Sequence, residues 1–205
     1  MKPNPNSSIV LIGAGEHGKV VAEILEALQA TILGFYDDDP AKQKVWDYPV
    51  RHRIDAFGPL DNIGFVISLG NNAIRKKLDA AYKLNYATAV HPMAFVSKRS
   101  KVGEGTVAMA GVCVNTGTVI GRHCILNTSC AIDHDCLLED FVHISPGVAL
   151  AGKVQVGEGT HIGIGASVIP GIRIGKGCII GAGAAVIRDV PDGTTVVGVP
   201  GRAIR

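Results

Sequence analysis

Residues 156–174 read VGEGTHIGIGASVIPGIRI, and in this stretch an aliphatic residue returns at every sixth position. The same period extends in both directions. Stepping by six from Val96 to Val186 meets sixteen positions, and every one holds an apolar residue. A small or β-branched residue stands four places after each of them, and glycine often follows the aliphatic residue directly. An unbroken period of this kind predicts a solenoid made of stacked repeats.

We interpret the repeat as a left-handed parallel β-helix. Each six-residue unit then forms one flat side of a triangular prism, with the aliphatic side chain in the narrow bore and glycine at the turn. Three units complete a coil, so residues eighteen apart stack about 4.8 Å apart along the axis. Four of the five cysteines fall at the small inward position, where a thiol acts as a compact apolar group; they are Cys124, Cys130, Cys136 and Cys178.

The composition changes near residue 95. Nine of the ten aromatic residues precede Val96, whereas nineteen of the 26 glycines follow it. Large rings do not fit the bore of such a prism, and glycine suits its turns. We therefore predict two domains, residues 1–95 and residues 96–205.

The first domain alternates between strand and helix patterns. Apolar runs predict strands at Ile9–Ile12, Thr31–Tyr36 and Phe65–Leu69, and amphipathic runs predict helices at Lys19–Ala30 and Asn72–Leu84. This alternation predicts a small parallel sheet, that is, a Rossmann-like α/β domain. Residues 39–62 are expected to form a loop with room for a short strand.

A glycine-rich loop, Gly13-x-Gly15-x-x-Gly18, lies between the first predicted strand and helix, with Asp37 and Asp38 about twenty residues further on. Its glycines allow backbone amides to approach a phosphate at the helix N-terminus, and an acid after the second strand can accept from ribose hydroxyls. The same parts suit a dinucleotide or a nucleotide sugar. A domain of about 95 residues supplies only one mononucleotide-binding half, which argues against NAD.

Overall charge gives no indication of a nucleic-acid or membrane partner. Twenty basic and 18 acidic residues leave a formal charge of +2.

No run approaches eighteen consecutive apolar residues, and the N-terminus lacks the apolar core of a signal peptide. Five cysteines without C-x-x-C spacing indicate neither a disulfide framework nor a zinc ribbon. We expect a cytoplasmic protein that acts on small molecules.

The strongest candidate for chemistry is the run Asp133-His134-Asp135. His134 occupies the third place of its hexad, which should face outward. A carboxylate bonded to one ring nitrogen fixes the tautomer and raises the basicity of the imidazole, so the other nitrogen can take a proton. The pattern leaves open which of the two acids does this. The alternative is a solvated histidine between surface acids.

Spacing relates three further residues to His134. His143 lies nine residues on, half a coil around the prism, so the two histidines should meet only between subunits. His161 is eighteen residues after His143 and should stack on it. Gly152 is eighteen residues after His134, which places a backbone without a side chain beside the ring. Its N–H is a candidate oxyanion donor for a thioester carbonyl, with simple turn geometry as the alternative.

Together these motifs resemble the hexapeptide-repeat nucleotide-sugar acetyltransferases, a family that includes bacillosamine-pathway and perosamine N-acetyltransferases and sialic acid O-acetyltransferases. The resemblance rests on residues 13–18, 37–38, 69–77, 126–129, 134–136, 143–145 and 197–200. It implies N-acetylation of a nucleotide-linked 4-amino-4,6-dideoxy sugar by acetyl-CoA, without a metal. It also implies a homotrimer with active sites between subunits.

The resemblance assigns roles to individual residues. His134 is the implied general base, with Asp135 raising its basicity; the family commonly has glutamate at that place. The residues implied to contact acetyl-CoA are His143, Gly152, Ile164 and Ala182. The residues implied to bind the nucleotide sugar are Gly15, Glu16, His17, Asp37, Asp38 and Asn72.

Several other functions remain open on the sequence alone. O-acetylation of sialic acid or another sugar hydroxyl would use the same base. A zinc carbonic anhydrase would use His134, His143 and His161, but the chain lacks a pair of histidines five positions apart. A non-catalytic prism could also serve as a trimerisation scaffold for a nucleotide-sensing head.

Overall fold

The computed structural model describes residues 8–58 and 60–204. They form an α/β domain followed by a prism of short strands, each of two or three residues. The predicted fold class is therefore confirmed in both halves of the chain.

The N-terminal sheet has five strands. They are β1 (Ser8–Ile12), β2 (Thr31–Tyr36), β3 (Lys44–Val45), β4 (Tyr48–Arg51) and β5 (Ile63–Ile67), in the order β3-β4-β2-β1-β5. β1 pairs parallel with β2 and β5, and β4 pairs parallel with β2. The predicted parallel sheet is thus confirmed. Residues 39–62, expected to be mostly loop, add the antiparallel β3–β4 hairpin and 3₁₀ turns at Ile54–Phe57 and Leu60–Asn62.

The first helix, α1, spans Glu16–Ala27, so the predicted bounds of Lys19 and Ala30 are wrong. It begins earlier because Gly15 is an extended N-cap and the carboxylate of Glu16 is favourable beside the N-terminal amides. It ends earlier because Gln29 adopts a left-handed φ of 58°. Glu16 and His17 therefore lie in the first helical turn rather than in a loop.

Two other predicted bounds are also wrong. The second helix, α2, spans Asn72–Ala81 and does not reach Leu84, because Tyr82 is extended and returns the chain towards the sheet. β5 ends at Ile67 instead of Leu69, since its five residues pair in register with β1 and Leu69 turns away to pack against Gly13.

The prism has three faces, which we number by their strands. The first face contains Phe95–Val96, Cys113–Val114, Ala131–Ile132, Ala149–Leu150, Ser167–Val168 and Ala185–Val186. The second face contains Lys101–Val102, Val119–Ile120, Leu137–Leu138, Gln155–Val156 and Arg173–Ile174. The third face contains Ala89–Val90, Val107–Ala108, Ile125–Leu126, His143–Ile144, His161–Ile162, Ile179–Ile180, Thr195–Val197 and Arg202–Ala203. Residues eighteen apart are strand partners, as the period predicts.

The bore is filled as expected from the repeat. From Ala108 to Val186, every sixth residue is at most 3% exposed. The inward cysteines belong to the same core. Burial raises the pKa of Cys124 and of Cys130 to about 12, so these thiols stay protonated and act as apolar filling.

The N-terminal domain packs on the third face. Val21 and Leu25 of α1 share a buried core with Val107, Met109 and Ile125 of the prism. The third face already begins at Ala89–Val90, which pairs with Val107–Ala108. The division at residue 95 stays a prediction. The contact places the carboxyl ends of β1 and β5 close to the outer surface of the third face.

Candidate functional site

His134 projects from the corner between the first and second faces. It follows the strand Ala131–Ile132, and its side chain is 46% exposed, as expected for the third place of a hexad. Asp135 has a left-handed φ of 57°, a conformation that aspartate tolerates better than most residues. This turn directs the chain into the second face and brings the Asp135 carboxylate back beside the imidazole.

The two flanking acids have different partners. His134 Nδ1 lies 2.9 Å from Asp135 Oδ2. Because a carboxylate only accepts, Nδ1 carries the hydrogen and Nε2 is left as the basic nitrogen. Asp133 instead accepts from the Asn115 amide at 2.9 Å and from the His134 backbone N–H at 2.8 Å, and these bonds hold the pKa of Asp133 below its usual value. Asp135 is therefore the acid that orients the ring.

Gly152 lies next to the His134 ring, one coil further on. A Cβ added at Gly152 would lie 2.6 Å from His134 Nε2. Gly152 has no positive φ, so its turn geometry does not require glycine, whereas the imidazole does. Among the described residues, no acceptor is paired with the Gly152 N–H. The ring and this amide thus occupy one small patch of the corner.

A second cluster lies on the third face, beneath the N-terminal domain. The rings of His143 and His161 stack with centroids 4.6 Å apart, as their spacing predicts. His143 Nδ1 lies 3.3 Å from the Gly70 carbonyl oxygen, and His161 Nε2 lies 2.9 Å from Ser145 Oγ. Burial, followed by the nearby His161 and Arg75, lowers the pKa of His143 to about 3. This imidazole is therefore neutral at pH 7.

The glycine-rich loop faces the same cluster. Gly13 has a φ of 112°, and a side chain at Gly18 would collide with the Gly13 carbonyl oxygen, so both positions require glycine. His17, in the first turn of α1, is half-buried, and its Nε2 has no hydrogen-bond partner among the described residues. Burial and then Arg75 lower the pKa of His17 to about 4.

Asp37 and Asp38 differ in their surroundings. Asp37 is buried and accepts from the Ala14 N–H at 2.8 Å and from Lys42 Nζ at 2.9 Å. Its burial alone would raise the pKa of Asp37, but the bonds from Lys42 and Ala14 outweigh it and keep the pKa below its usual value. Asp38 is exposed beside it. Asp37 therefore holds the glycine-rich loop in place, and Asp38 is the acid that faces solvent.

Four residues of α2 bond directly to the prism in the described part of the chain: Asn72, Arg75, Lys76 and Asp79. Asn72 Nδ2 donates to the Gly159 carbonyl at 2.9 Å, and Asn72 Oδ1 accepts from Arg75. The amide of Asn72, expected near the nucleotide, is thus already engaged in a domain contact. Arg75 is only 1% exposed, which its residue type did not indicate, because a basic residue on an amphipathic helix is expected in solvent. The sequence did carry one indication of burial, because Arg75 lies three residues before Leu78 and shares its apolar helical face.

One chain does not bring all the predicted site residues together. His143 lies on the third face, and Ile164 and Ala182 lie at the corner that follows it. His134 and Gly152 occupy the corner opposite the third face. The body of the prism separates these two groups, in agreement with the expected separation of His134 from His143.

Comparison with known proteins now gives the family. A model described as the PglD N-terminal domain matches residues 8–80, and one described as the bacterial transferase hexapeptide (six repeats) matches residues 153–188. The acetyltransferase domain of PglB from Neisseria gonorrhoeae, solved with acetyl coenzyme A, is 38% identical over 97% of this chain and 100% of that chain, with a TM-score of 0.91. The chain belongs to the hexapeptide-repeat nucleotide-sugar acetyltransferases. The predicted family and enzyme class are confirmed.

Two further relatives belong to the same acetyltransferase family. A variant of perosamine N-acetyltransferase from Caulobacter crescentus, solved with CoA and GDP-perosamine, is 39% identical over 96% of both chains, with a TM-score of 0.90. UDP-N-acetylbacillosamine N-acetyltransferase of Bacillus subtilis is 42% identical over 111 residues. That match covers 50% of this chain and 51% of the relative, so it spans about half the length of the Bacillus enzyme.

The described part of the chain shows neither a membrane-spanning helix nor a cluster of metal ligands. Neither helix there is long and apolar enough to cross a membrane. The same residues include no group of three or more histidine, cysteine or acidic side chains placed to hold a metal ion.

Proposed function

We propose that the chain transfers the acetyl group of acetyl-CoA to the amino group of a nucleotide-linked 4-amino-4,6-dideoxy sugar. The observation that carries this proposal is the His134 imidazole, which is oriented by Asp135. Its Nε2 lies beside the Gly152 backbone and has no hydrogen-bond partner among the described residues. The relatives support the choice of substrates. The Bacillus and Caulobacter enzymes are named as N-acetyltransferases of amino sugars. The PglB domain was solved with acetyl-CoA, and the Caulobacter enzyme with CoA and GDP-perosamine.

The proposed reaction is a direct transfer within a ternary complex. The neutral sugar amine attacks the thioester carbonyl carbon and forms a C–N bond. His134 Nε2 takes a proton from the attacking nitrogen, and the Asp135 carboxylate stabilises the resulting imidazolium. The Gly152 N–H donates to the oxyanion. When the C–S bond breaks, the imidazolium returns its proton to the thiolate, so the products are the N-acetylated sugar and free coenzyme A.

The nucleotide sugar and acetyl-CoA are assigned to opposite sides of the stacked histidines His143 and His161 on the third face. The diphosphate of the nucleotide lies at the N-terminus of α1, over Gly15, Glu16 and His17, where free amides and the helix dipole favour an anion. Asp38 is placed to accept from the ribose. Acetyl-CoA extends along His143, Ile164 and Ala182 of one subunit towards His134 of another subunit. Gly152, beside that His134, lies at the thioester end of the coenzyme.

We propose a homotrimer, because the base and the acetyl-CoA residues of one chain lie on opposite sides of its prism. Each site then combines His134 of one subunit with His143, Ile164 and Ala182 of its neighbour. A closed ring of three identical heterologous contacts provides three such sites.

Mixed trimers test this arrangement. His134→Ala removes the base, and Ala182→Trp blocks the exposed corner along which acetyl-CoA is proposed to lie. We expect each variant alone to be inactive. After the two are dissociated and reassembled together, about a quarter of the sites should contain neither substitution, and activity should return in proportion. Light scattering reports the trimer, and the absence of any recovery would show that each site belongs to one chain.

A substrate panel tests the proposed reaction itself. Thiol release from acetyl-CoA is followed with UDP-, GDP- and CMP-linked 4-amino sugars and with the matching 4-hydroxy sugars. We expect release that depends on an amino sugar, with the acetylated product confirmed by mass spectrometry. Release that requires a hydroxyl sugar would instead establish O-acetylation. If none of the acceptors in the panel supports thiol release, the proposed function is refuted.

A further inference from the structure

The first turn of α2 contacts the same corner position in three successive coils. Arg75 Nε donates to the His123 carbonyl at 3.1 Å, and Arg75 Nη2 donates to the Phe141 carbonyl at 3.1 Å. Asn72 Nδ2 donates to the Gly159 carbonyl at 2.9 Å. His123, Phe141 and Gly159 are eighteen residues apart, and all three have a left-handed φ. Among the described residues, none of these carbonyls accepts a backbone N–H, so α2 supplies their donors.

Arg75 also holds the loop that precedes its own helix. Its Nη1 donates to the carbonyls of Leu69 at 3.1 Å and Gly70 at 3.0 Å, and its Nη2 donates to Asn72 Oδ1 at 2.9 Å. The guanidinium is buried, and its partners among the described residues are carbonyl and amide oxygens rather than carboxylates. A planar group with several donors in a fixed fork can hold all these oxygens at once, whereas an ammonium cannot.

The Gly70 carbonyl connects this arrangement to the third-face histidines. It accepts from Arg75 and lies 3.3 Å from His143 Nδ1. Because a carbonyl oxygen only accepts, Nδ1 carries the hydrogen of the neutral ring, and Nε2 is left with a lone pair. The Asn127 amide nitrogen lies 3.5 Å from this Nε2. The orientation and tautomer of His143 therefore depend on where the Gly70 carbonyl is held.

We infer that Arg75 is a positioning residue for acetyl-CoA binding. By fixing the Leu69–Gly70 carbonyls against the corner of the prism, it orients His143 so that Nε2 faces the coenzyme. The Asn127 amide is 3.5 Å from Nε2, the limit of a hydrogen bond, so an amide N–H of the pantetheine arm can take its place as the donor. This inference rests on the proposed function, in which His143 contacts acetyl-CoA. It assigns α2 a role in the donor half of the site, although α2 belongs to the nucleotide-binding domain.

Arg75→Lys tests the inference, since lysine keeps the charge but cannot hold the five oxygens together. We expect the KM for acetyl-CoA to rise by about tenfold or more, because displacement of a positioning group by a fraction of an ångström is costly. The KM for the amino sugar should change by less than about twofold. The matched control is Lys76→Met on the same helix, which removes only the exposed ion pair with Glu158 and should leave both KM values unchanged.

A double-mutant cycle with His143→Ala separates positioning from a general structural effect. If Arg75 acts through His143, Arg75→Lys should add little to the acetyl-CoA KM once the imidazole is gone. Independent, multiplying effects would overturn the inference while leaving the proposed function intact. An unchanged KM in His143→Ala alone would overturn both the inference and the acetyl-CoA contact of His143. Acetyl transfer itself is tested separately by thiol release from the wild-type enzyme.

A second variant covers the case in which Arg75→Lys fails to fold. Asn72→Ala removes the oxygen that orients Arg75 and the bond to Gly159, and leaves the guanidinium in place. In the same cycle with His143→Ala, it should also raise the KM for acetyl-CoA only while the imidazole is present. A loss of thermal stability with unchanged KM values in Asn72→Ala would overturn the positioning role.

Discussion

Replacing His134 with asparagine is expected to lower kcat/KM for acetyl transfer by about 10²- to 10⁴-fold, the usual contribution of a general base. Asparagine fits the same exposed corner but has no nitrogen that takes a proton near neutral pH. In the proposed mechanism the base acts after both substrates are bound, so calorimetric dissociation constants for the nucleotide sugar and CoA should change little. Initial rates of thiol release at fixed pH measure the loss.

The flanking acids provide the matched controls for this experiment. Asp135→Asn removes the carboxylate that accepts from His134 Nδ1, and it should reduce kcat/KM far more than Asp133→Asn. Asp133 touches the backbone N–H of His134 rather than its ring, so its loss should affect the corner only indirectly. A His134→Asn enzyme that kept more than about a tenth of wild-type kcat/KM would contradict the base assignment.

Replacing Gly152 with alanine is expected to lower kcat/KM by about 10²-fold, the scale of a misplaced reacting group. The new methyl carbon would lie 2.6 Å from His134 Nε2, which is closer than any unstrained contact allows. The ring must therefore swing away from the position in which Nε2 faces the substrate. The substitution keeps the backbone N–H, so the loss reports the displaced imidazole rather than a missing oxyanion donor.

The control for Gly152→Ala is the same change made together with His134→Ala. Without the ring the added methyl group has no close neighbour at Nε2, so Gly152→Ala should cause little further loss of activity in that background. Thermal unfolding of all four proteins shows whether the corner itself remains folded. Equal losses in both backgrounds would assign the effect of Gly152→Ala to the backbone instead of the His134 ring.

The prism was predictable because it is a local structure. Each six-residue unit contacts mainly the units eighteen residues before and after it, so its side-chain pattern is sufficient to specify the coil. The same periodicity predicted the stack of His143 on His161 and the place of Gly152 beside His134, and both are observed. The helix bounds were less accessible to the sequence, because α1 begins and ends where Gly15 and Gln29 adopt particular backbone angles.

The sequence left two choices open at the corner that carries His134. Asp133 and Asp135 flank His134 symmetrically in the chain, and no pattern distinguishes them. The structure does so through the left-handed φ of Asp135, which turns its carboxylate to the ring, and through Asn115, which engages Asp133. For Gly152 the alternatives were an oxyanion donor and simple turn geometry. Its φ is not positive, so turn geometry does not require glycine, whereas the His134 ring fills the space that a Cβ would need. The oxyanion role of its N–H stays a prediction.

The sequence by itself thus determined the two architectures, the acetyltransferase resemblance and the histidine most suited to act as base, because all of these follow from short-range spacing. Only the tertiary structure decided how the two domains are joined. Arg75 looked like a surface charge on an amphipathic helix, yet it is buried against carbonyls 48 and 66 residues away in the chain. Contacts of that range depend on how whole domains pack, and no local pattern specifies them.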